Sequence, residues 1–223
     1  MFSLIANILH AASVWVIPVL SAVVLHELAH GLMADALGDR TARLAGRLTL
    51  NPVKHIDPVG TVILPGLLLA FSSPFLFGWA RPVPVNAGNF SRPRQGMALV
   101  ALAGPAMNVV LAFVSFMLLW FIDGSGWWSS MLWNSFYFNI VLAVFNMLPL
   151  LPLDGGRVVV GILPEALAIR FMRMERIGFG VLIGLLIILP LIGQKIGVDL
   201  NFLSSLVTRI VRAVAEIFFM MAD

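Results

Sequence analysis

Residues 3–37 read SLIANILHAASVWVIPVLSAVVLHELAHGLMADAL, and this long apolar run predicts a membrane-spanning helix. His26 and His30 lie inside it, and no Asp, Glu, Lys or Arg precedes His26. Side chains four residues apart share one face of a helix, so the two imidazoles can bind one metal ion. Glu27 stands beside them, where it can deprotonate a metal-bound water. Because such groups are costly in a bilayer, we expect a function for them beyond hydrogen bonds between helices.

The composition predicts an all-α polytopic membrane protein. Apolar residues make up 60% of the 223 residues and charged residues 11%, against about 25% charged in soluble domains. This length allows a bundle of about five to six transmembrane or re-entrant helices in a single domain, 1–223, with a core at about 3–165 and C-terminal helices at 166–223. Since Cys is absent, a metal must be bound by His, Asp or Glu. No nucleic-acid motif accompanies the net charge of +3.

The basic residues predict the orientation in the membrane. Basic loops at 40–58 and 80–95 flank an apolar segment at 59–79. If that segment crossed the bilayer, the two loops would lie on opposite sides, against the positive-inside rule. We therefore expect 59–79 to enter and return, covered by protein. Eleven of the 14 Lys and Arg residues are then cytoplasmic, and the two histidines lie toward the cytoplasmic half of the first helix.

Two shorter segments carry their own patterns. Residues 42–50 (ARLAGRLTL) alternate roughly as a strand does, which predicts a small membrane-associated β element. Residues 200–222 are apolar with one polar stripe, which fits either a helix lying in the membrane interface, favoured here, or a last span whose polar face meets protein. The stripe consists of Asn201, Ser205, Thr208, Arg212 and Glu216.

Asp154 is the best candidate for a third metal ligand. A catalytic zinc site has three protein ligands and one open position. Asp154 follows the predicted span 127–148 at its cytoplasmic end, at a depth similar to that of His30. Pro152 and Gly155-Gly156 would let its backbone approach the first helix closely. The alternative is that Asp154 caps the helix that begins after it.

Several further motifs follow in order along the first 160 residues. The motifs are His26 to His30, Leu50-Asn51-Pro52 with His55-Ile56-Asp57-Pro58 and Gly60, Gly78-Trp79-Ala80-Arg81-Pro82-Val83-Pro84-Val85-Asn86, Ala103-Gly104-Pro105 with Asn108, and Asn146 with Pro152-Leu153-Asp154-Gly155-Gly156. Together they resemble the site-2 protease family of intramembrane zinc metalloproteases, in a short form without a PDZ or CBS domain.

The resemblance implies one Zn²⁺ per chain, bound by His26, His30 and Asp154, with Glu27 as general base. It implies an endopeptidase that cuts peptide bonds within or near transmembrane segments in regulated intramembrane proteolysis. The expected partners are transmembrane substrates and the lipid bilayer, and no nucleic acid. The expected location is a prokaryotic inner membrane with the site toward the cytoplasm. Substrate identity and oligomeric state stay open.

Three further polar residues are candidates for the site. Asn108 and Asn146 can each hydrogen-bond a substrate backbone or the oxyanion of the reaction, or can join helices, as intramembrane amides often do. The resemblance favours a site role, more strongly for Asn146. His55 can be a fourth metal contact, a transition-state stabiliser or a loop residue.

Two other classes of protein share part of this pattern, metal-ion transporters and inactive scaffolds. A metal-ion transporter also places His, Asp and Asn at membrane depth, but it usually shows repeated halves and several polar sites along a path. This sequence has one concentrated site and no internal repeat. An inactive scaffold is difficult to reconcile with the intact set His26, Glu27, His30 and Asp154.

Overall fold

The computed structural model of the protein describes residues 2–63, 66, 78–122, 124 and 126–220. In these ranges the chain forms α-helices, loops and single 3₁₀ or π turns, with no β-strand, which confirms the all-α prediction for this part. The turns are Pro52–His55, Pro58–Ile63 and Ala87–Asn89. The helices are α1 (Phe2–Ala36), α2 (Thr41–Leu44), α3 (Pro93–Leu119), α4 (Trp127–Asn146), α5 (Asp154–Ile162), α6 (Glu165–Arg173), α7 (Glu175–Ile196) and α8 (Phe202–Met220).

Three of the described helices are long and apolar enough to cross a membrane. They are Leu9–Ala36 within α1, α3 and α7, with 28, 27 and 22 residues. The expected five to six spans are thus not confirmed. Asparagines along α4 and the polar stripe of α8 make these two helices less apolar than the other three. The re-entrant segment expected at 59–79 falls mostly on residues 64, 65 and 67–77, outside the described residues.

α3 packs antiparallel to α1, and this pairing builds the site. His30 meets the carbonyl of Val100 near the start of α3, and His26 meets Asn108 two turns further along. Residues 100, 104 and 108 are four apart, so one face of α3 lies against the two histidines. The imidazoles are therefore enclosed between helices.

α4 runs parallel to α1. Near the start of α4, the indole Nε1 of Trp127 donates to Oγ of Ser13 at 2.7 Å. Further along, Asn139 accepts a hydrogen bond from Asn108 of α3. α1, α3 and α4 thus form one packed bundle with polar contacts at two depths.

α8 runs antiparallel to α4. Its end packs near the middle of α4, where the rings of Phe218 and Phe136 are 5.3 Å apart, and its start packs through Leu203 against Leu148 beyond the end of α4. Because α4 follows the membrane-length helix α1, this packing opposes an orientation of α8 flat in the interface. Four residues of the polar stripe, Ser205, Thr208, Arg212 and Glu216, are exposed, so the described protein does not cover it either.

The β element expected at 42–50 is absent from this fully described segment. Residues 41–44 form the single turn α2, and a left-handed residue, Gly46 with φ +62°, follows it. The backbone amides of Leu44, Ala45 and Arg47 bond to carbonyls four or five residues back. Those amides are used locally, so they cannot pair with a strand. The alternation at 42–50 therefore does not correspond to a strand.

Asp39 ties a loop to the end of α1. This fully buried carboxylate accepts hydrogen bonds from the backbone and side chain of Thr41, the backbone of Asn86 (2.7 Å) and the side chain of Asn89 (2.7 Å). Burial alone raises the pKa of Asp39, but these donors outweigh it and hold the pKa below its usual value. Residues 81–90, called the strap below, are thereby fixed along the C-terminal half of α1.

Candidate metal centre

His26, His30 and Asp154 converge on one point. The Nε2 atoms of the two histidines are 3.0 Å apart. Oδ2 of Asp154 lies 3.2 Å from Nε2 of His26 and 3.4 Å from Nε2 of His30. All three side chains are buried, and one ligand atom from each lies within 4.8 Å of the others. The structure thus brings together the three residues predicted as metal ligands, although α1 and α5 are more than a hundred residues apart.

The protonation pattern of this cluster favours a bound cation. Nδ1 of His26 faces the amide oxygen of Asn108 and Nδ1 of His30 faces the carbonyl of Val100, both at 2.6 Å. Oxygens of this kind only accept hydrogen bonds, so each Nδ1 carries a proton, and an imidazole that is neutral in this orientation presents a bare Nε2.

Three lone-pair atoms therefore face one another. Among the described residues, the buried Oδ2 of Asp154 faces the two Nε2 atoms and has no other hydrogen-bond donor, and a buried charge without compensation is costly. A cation at the meeting point satisfies all three atoms. The His₂Asp donor set fits zinc and leaves a fourth position open.

Gly104 makes the close approach of α3 possible. A Cβ added at this residue would lie 2.5 Å from Cε1 of His30 and 2.7 Å from Cε1 of His26, and closer still to Nε2 of His30. No side chain fits between α3 and the imidazoles. Gly104 is part of the Ala103-Gly104-Pro105 motif, but the sequence alone predicted no role for it. Gly104 lies four residues before Asn108 and so on the same helix face. This spacing is the sequence signal that places Gly104 beside the histidines.

Asp154 is not a helix cap. Leu153 occupies the N-cap position of α5 without a side-chain cap bond, and Asp154 is the first helical residue. Gly155 and Gly156 do not bring the backbone to α1 as expected. They pack instead on their own preceding turn, where a Cβ at Gly156 would lie 2.6 Å from the backbone nitrogen of Leu151. The two glycines thus fold the chain tightly before α5 and so aim Asp154 at the histidines.

The far end of α5 is fixed as well. The guanidinium of Arg94, at the start of α3, donates to the carbonyl of Val160 at 3.3 Å and to that of Leu163. Carbonyls at a helix C-terminus lack partners within the helix, so a cation suits them. The helix that carries Asp154 is thereby joined to α3 beyond its contact with the histidines.

Comparison with known proteins assigns the family. The family model for Peptidase family M50 matches residues 122–191. Over 173 residues the chain is 42% identical to YwhC of Bacillus subtilis, which is named provisionally as a zinc metalloprotease, and the match covers 74% of this chain and 75% of YwhC. The chain belongs to peptidase family M50.

More distant relatives agree with this assignment. The M50 chain is 33% identical over 134 residues to Rip2 of Mycolicibacterium smegmatis, a match covering 59% of the chain and 50% of Rip2. It is 40% identical over 98 residues to MJ0611 of Methanocaldococcus jannaschii, covering 42% of the chain and 50% of that protein. Both carry the same provisional name of zinc metalloprotease. No solved structure matches the chain.

A buried polar chain runs from His26 into the bundle of this M50 protein. Asn108 donates to the carbonyl of Ala22 (3.2 Å) and to Oδ1 of Asn139 (2.8 Å), so its own oxygen is the atom that faces His26. Asn139 in turn donates to the carbonyl of Ser135 at 2.8 Å. Asn108 and Asn139 are fully buried. This chain fixes which nitrogen of His26 is free for a metal, and sequence reasoning did not include Asn139.

We expect Asn139→Ala to weaken metal binding about tenfold, because Asn108 then loses the partner that orients it. The measurement is zinc affinity of the purified protein by competition with a chelating dye. Asn134→Ala is the matched control, since Asn134 lies on the same helix and bonds to α1 at the carbonyl of Val14 instead. Equal affinities of the two variants would remove Asn139 from the metal centre.

Asn146 and His55 lie apart from the metal cluster of the M50 chain. Nδ2 of Asn146 donates to the carbonyl of Leu142 in its own helix at 3.1 Å. His55 is buried, and its Nε2 meets the carbonyl of Thr49 at 3.0 Å. In the described ranges neither side chain belongs to the group of converging ligand atoms, and His55 ends the single 3₁₀ turn Pro52–His55. Asn108 contacts His26 directly.

Proposed function

We propose that this M50 chain is an intramembrane zinc endopeptidase that hydrolyses peptide bonds within or near transmembrane segments of membrane proteins. The observation that supports it most is the buried convergence of His26, His30 and Asp154. Two of these residues lie on a helix apolar enough to cross a membrane. The provisional names of the relatives point to the same class of enzyme.

His26, His30 and Asp154 would hold one zinc ion. At this position a zinc ion would supply Lewis-acid chemistry, by which a scissile carbonyl would be polarised and the pKa of a bound water lowered toward about 7. The protein's part is to keep the ligands oriented. Asn108 and the Val100 carbonyl hold both imidazoles with Nε2 inward.

Glu27 is the general base in this proposal. It adjoins His26 in sequence, and its carboxylate is not one of the converging ligand atoms. It takes a proton from water during attack on the carbonyl carbon and delivers a proton to the leaving amine. The single carboxylate serves both steps.

The site lies close to one membrane face. His30 is six residues before the end of α1, which is roughly 9 Å along a helix. Arg40, Arg43 and Arg47 follow that end, and basic loops favour the cytoplasm. We infer a cytoplasm-facing site in a prokaryotic inner membrane, which water reaches from the side of these loops.

Substrate contacts are assigned to Asn146 rather than to Asn108. Both donor bonds of Asn108 go to Ala22 and Asn139, and its oxygen goes to His26. Asn146 is half-buried, and within the described part of the chain its amide bonds to the carbonyl of Leu142 in its own helix. An unwound substrate segment exposes backbone groups that such an amide can bind.

Removal of the metal tests the proposed function. The protein is reconstituted in liposomes with a single-span substrate, chosen by comparing membrane proteomes with and without the active enzyme. We expect a zinc chelator to abolish cleavage and one equivalent of Zn²⁺ per chain to restore it. Cleavage that continues in zinc-free protein would contradict the proposal. Zinc flux into the liposomes without any cleavage would support a transporter instead.

A further inference from the structure

The strap touches the proposed general base. The backbone N–H of Val83 donates to Oε2 of Glu27 at 2.9 Å. The Val83 side chain is buried, and its Cγ1 packs at Gly31, one helical turn after Glu27, where an added Cβ would lie 3.0 Å from it. The strap therefore follows the face of α1 that carries Glu27, in contact at two successive turns.

Val83 is fixed from both directions along the chain. Before it, the backbone N–H of Arg81 donates to the carbonyl of His55 at 2.8 Å. After it, the backbone N–H of Asn86 donates to the buried Asp39 at 2.7 Å. The His55 loop and the end of α1 thus hold the strap in place on either side of Glu27. This gives His55 a structural role outside the metal cluster.

Residues 82–84 of the strap contain a single backbone N–H that can donate a hydrogen bond. Pro82 and Pro84 have no N–H, so between them only Val83 can donate from the backbone. That donor bonds to a carboxylate, and a hydrogen bond to an ionised group is roughly twice as strong as a neutral one. Residues before a proline are restricted to extended backbone, which limits movement of Val83 further.

We propose that the Val83 amide is a positioning group for Glu27. It holds Oε2, and Oε1 is then the oxygen that exchanges protons with water and the leaving amine. This inference rests on the proposed role of Glu27 as general base. The amide binds neither metal nor substrate and acts only through the carboxylate. The amide contributes by fixing the position of the carboxylate, because a misplacement of about 1 Å in a reacting group can lower a rate about 10²-fold.

The hydrogen bond can be tested without any activity measurement. In zinc-loaded protein labelled with ¹⁵N-valine, we expect the Val83 amide to exchange with solvent at least about tenfold faster in Glu27→Ala than in the native protein. Asp35→Ala is the control, since Asp35 is another acid of α1 and pairs with Arg43. Equal Val83 exchange in the native protein and Glu27→Ala would overturn the inference, whatever the protein's activity.

The catalytic consequence is tested by deleting the N–H. Against a transmembrane substrate, we expect Val83→Pro to lower kcat about 10- to 100-fold with KM and zinc content kept. Val83→Ala retains the amide, and its kcat should exceed that of Val83→Pro at least fivefold. Equal kcat for the two variants would overturn the inference.

A backbone ester separates the role of the donor from proline strain. Replacing Val83 by the matching α-hydroxy acid removes the N–H and keeps the side chain. We expect the ester variant to show the same loss of kcat that is expected for Val83→Pro. The ester variant provides this measurement even if Val83→Pro does not fold. An ester with native kcat would refute the positioning role. If the native enzyme cleaves no substrate at all, the proposed function fails, and the exchange measurement still decides the hydrogen bond.

Discussion

The Glu27→Gln variant is expected to keep its zinc and to cleave a transmembrane substrate roughly 10²- to 10⁴-fold more slowly than the native enzyme. A glutamine has nearly the same shape as glutamate and can still accept the hydrogen bond from the Val83 amide. It cannot take up a proton. The metal stays because the converging ligand atoms come from His26, His30 and Asp154.

The measurement combines kcat in liposomes with zinc content by elemental analysis. Asp35→Asn is the matched control, because it makes the same acid-to-amide change two turns further along α1, where the carboxylate pairs with Arg43 at 2.5 Å. We expect this control to keep native kcat and native zinc. If Glu27→Gln cleaves within threefold of the control, another group is the base.

Gly104→Ala is expected to lower zinc affinity about 100-fold, a loss at the upper end for residues that orient metal ligands. The added methyl carbon would lie 2.5 Å from Cε1 of His30, too close for any real contact. α3 cannot retreat easily, since Val100 and Asn108 on the same face bond to the two histidines. The imidazoles must therefore move away from the point where they meet Asp154.

Gly180→Ala is the control for this change. Gly180 also lies inside a long apolar helix, α7, but no described residue lies within 4 Å of an added Cβ. Alanine is the better helix former, so this control should keep zinc and gain slightly in stability. Zinc titration and thermal unfolding of both variants provide the comparison. Native zinc affinity in Gly104→Ala would show that the imidazoles can relax around the methyl group.

The metal ligands could be predicted from sequence because their signals are local. His26 and His30 are placed on one face by helix periodicity alone. Asp154 needed one long-range step, the shared depth of two helix ends, and the structure does bring its carboxylate to the two histidines. The path of the chain before Asp154 was not predicted, because Gly155 and Gly156 pack on their own turn rather than on α1.

The features that could not be predicted are contacts between distant segments. A periodic sequence pattern carries no information about such contacts. The alternation at 42–50 has the period of a strand, but local amide bonds close a helical turn there instead. Asn139 and Val83 each act through a partner on another element, 31 and 56 residues away. Their chemistry is ordinary, and only the fold shows which group each one faces.

The polar chain from His26 through Asn108 to Asn139 has a consequence for biogenesis. Three helices supply it, and α4 is the last of them to leave the ribosome. A nascent chain that has inserted only α1 has two histidines with unselected tautomers and no carboxylate partner. The complete set of oriented ligands therefore exists only after α1, α3, α4 and α5 have packed together.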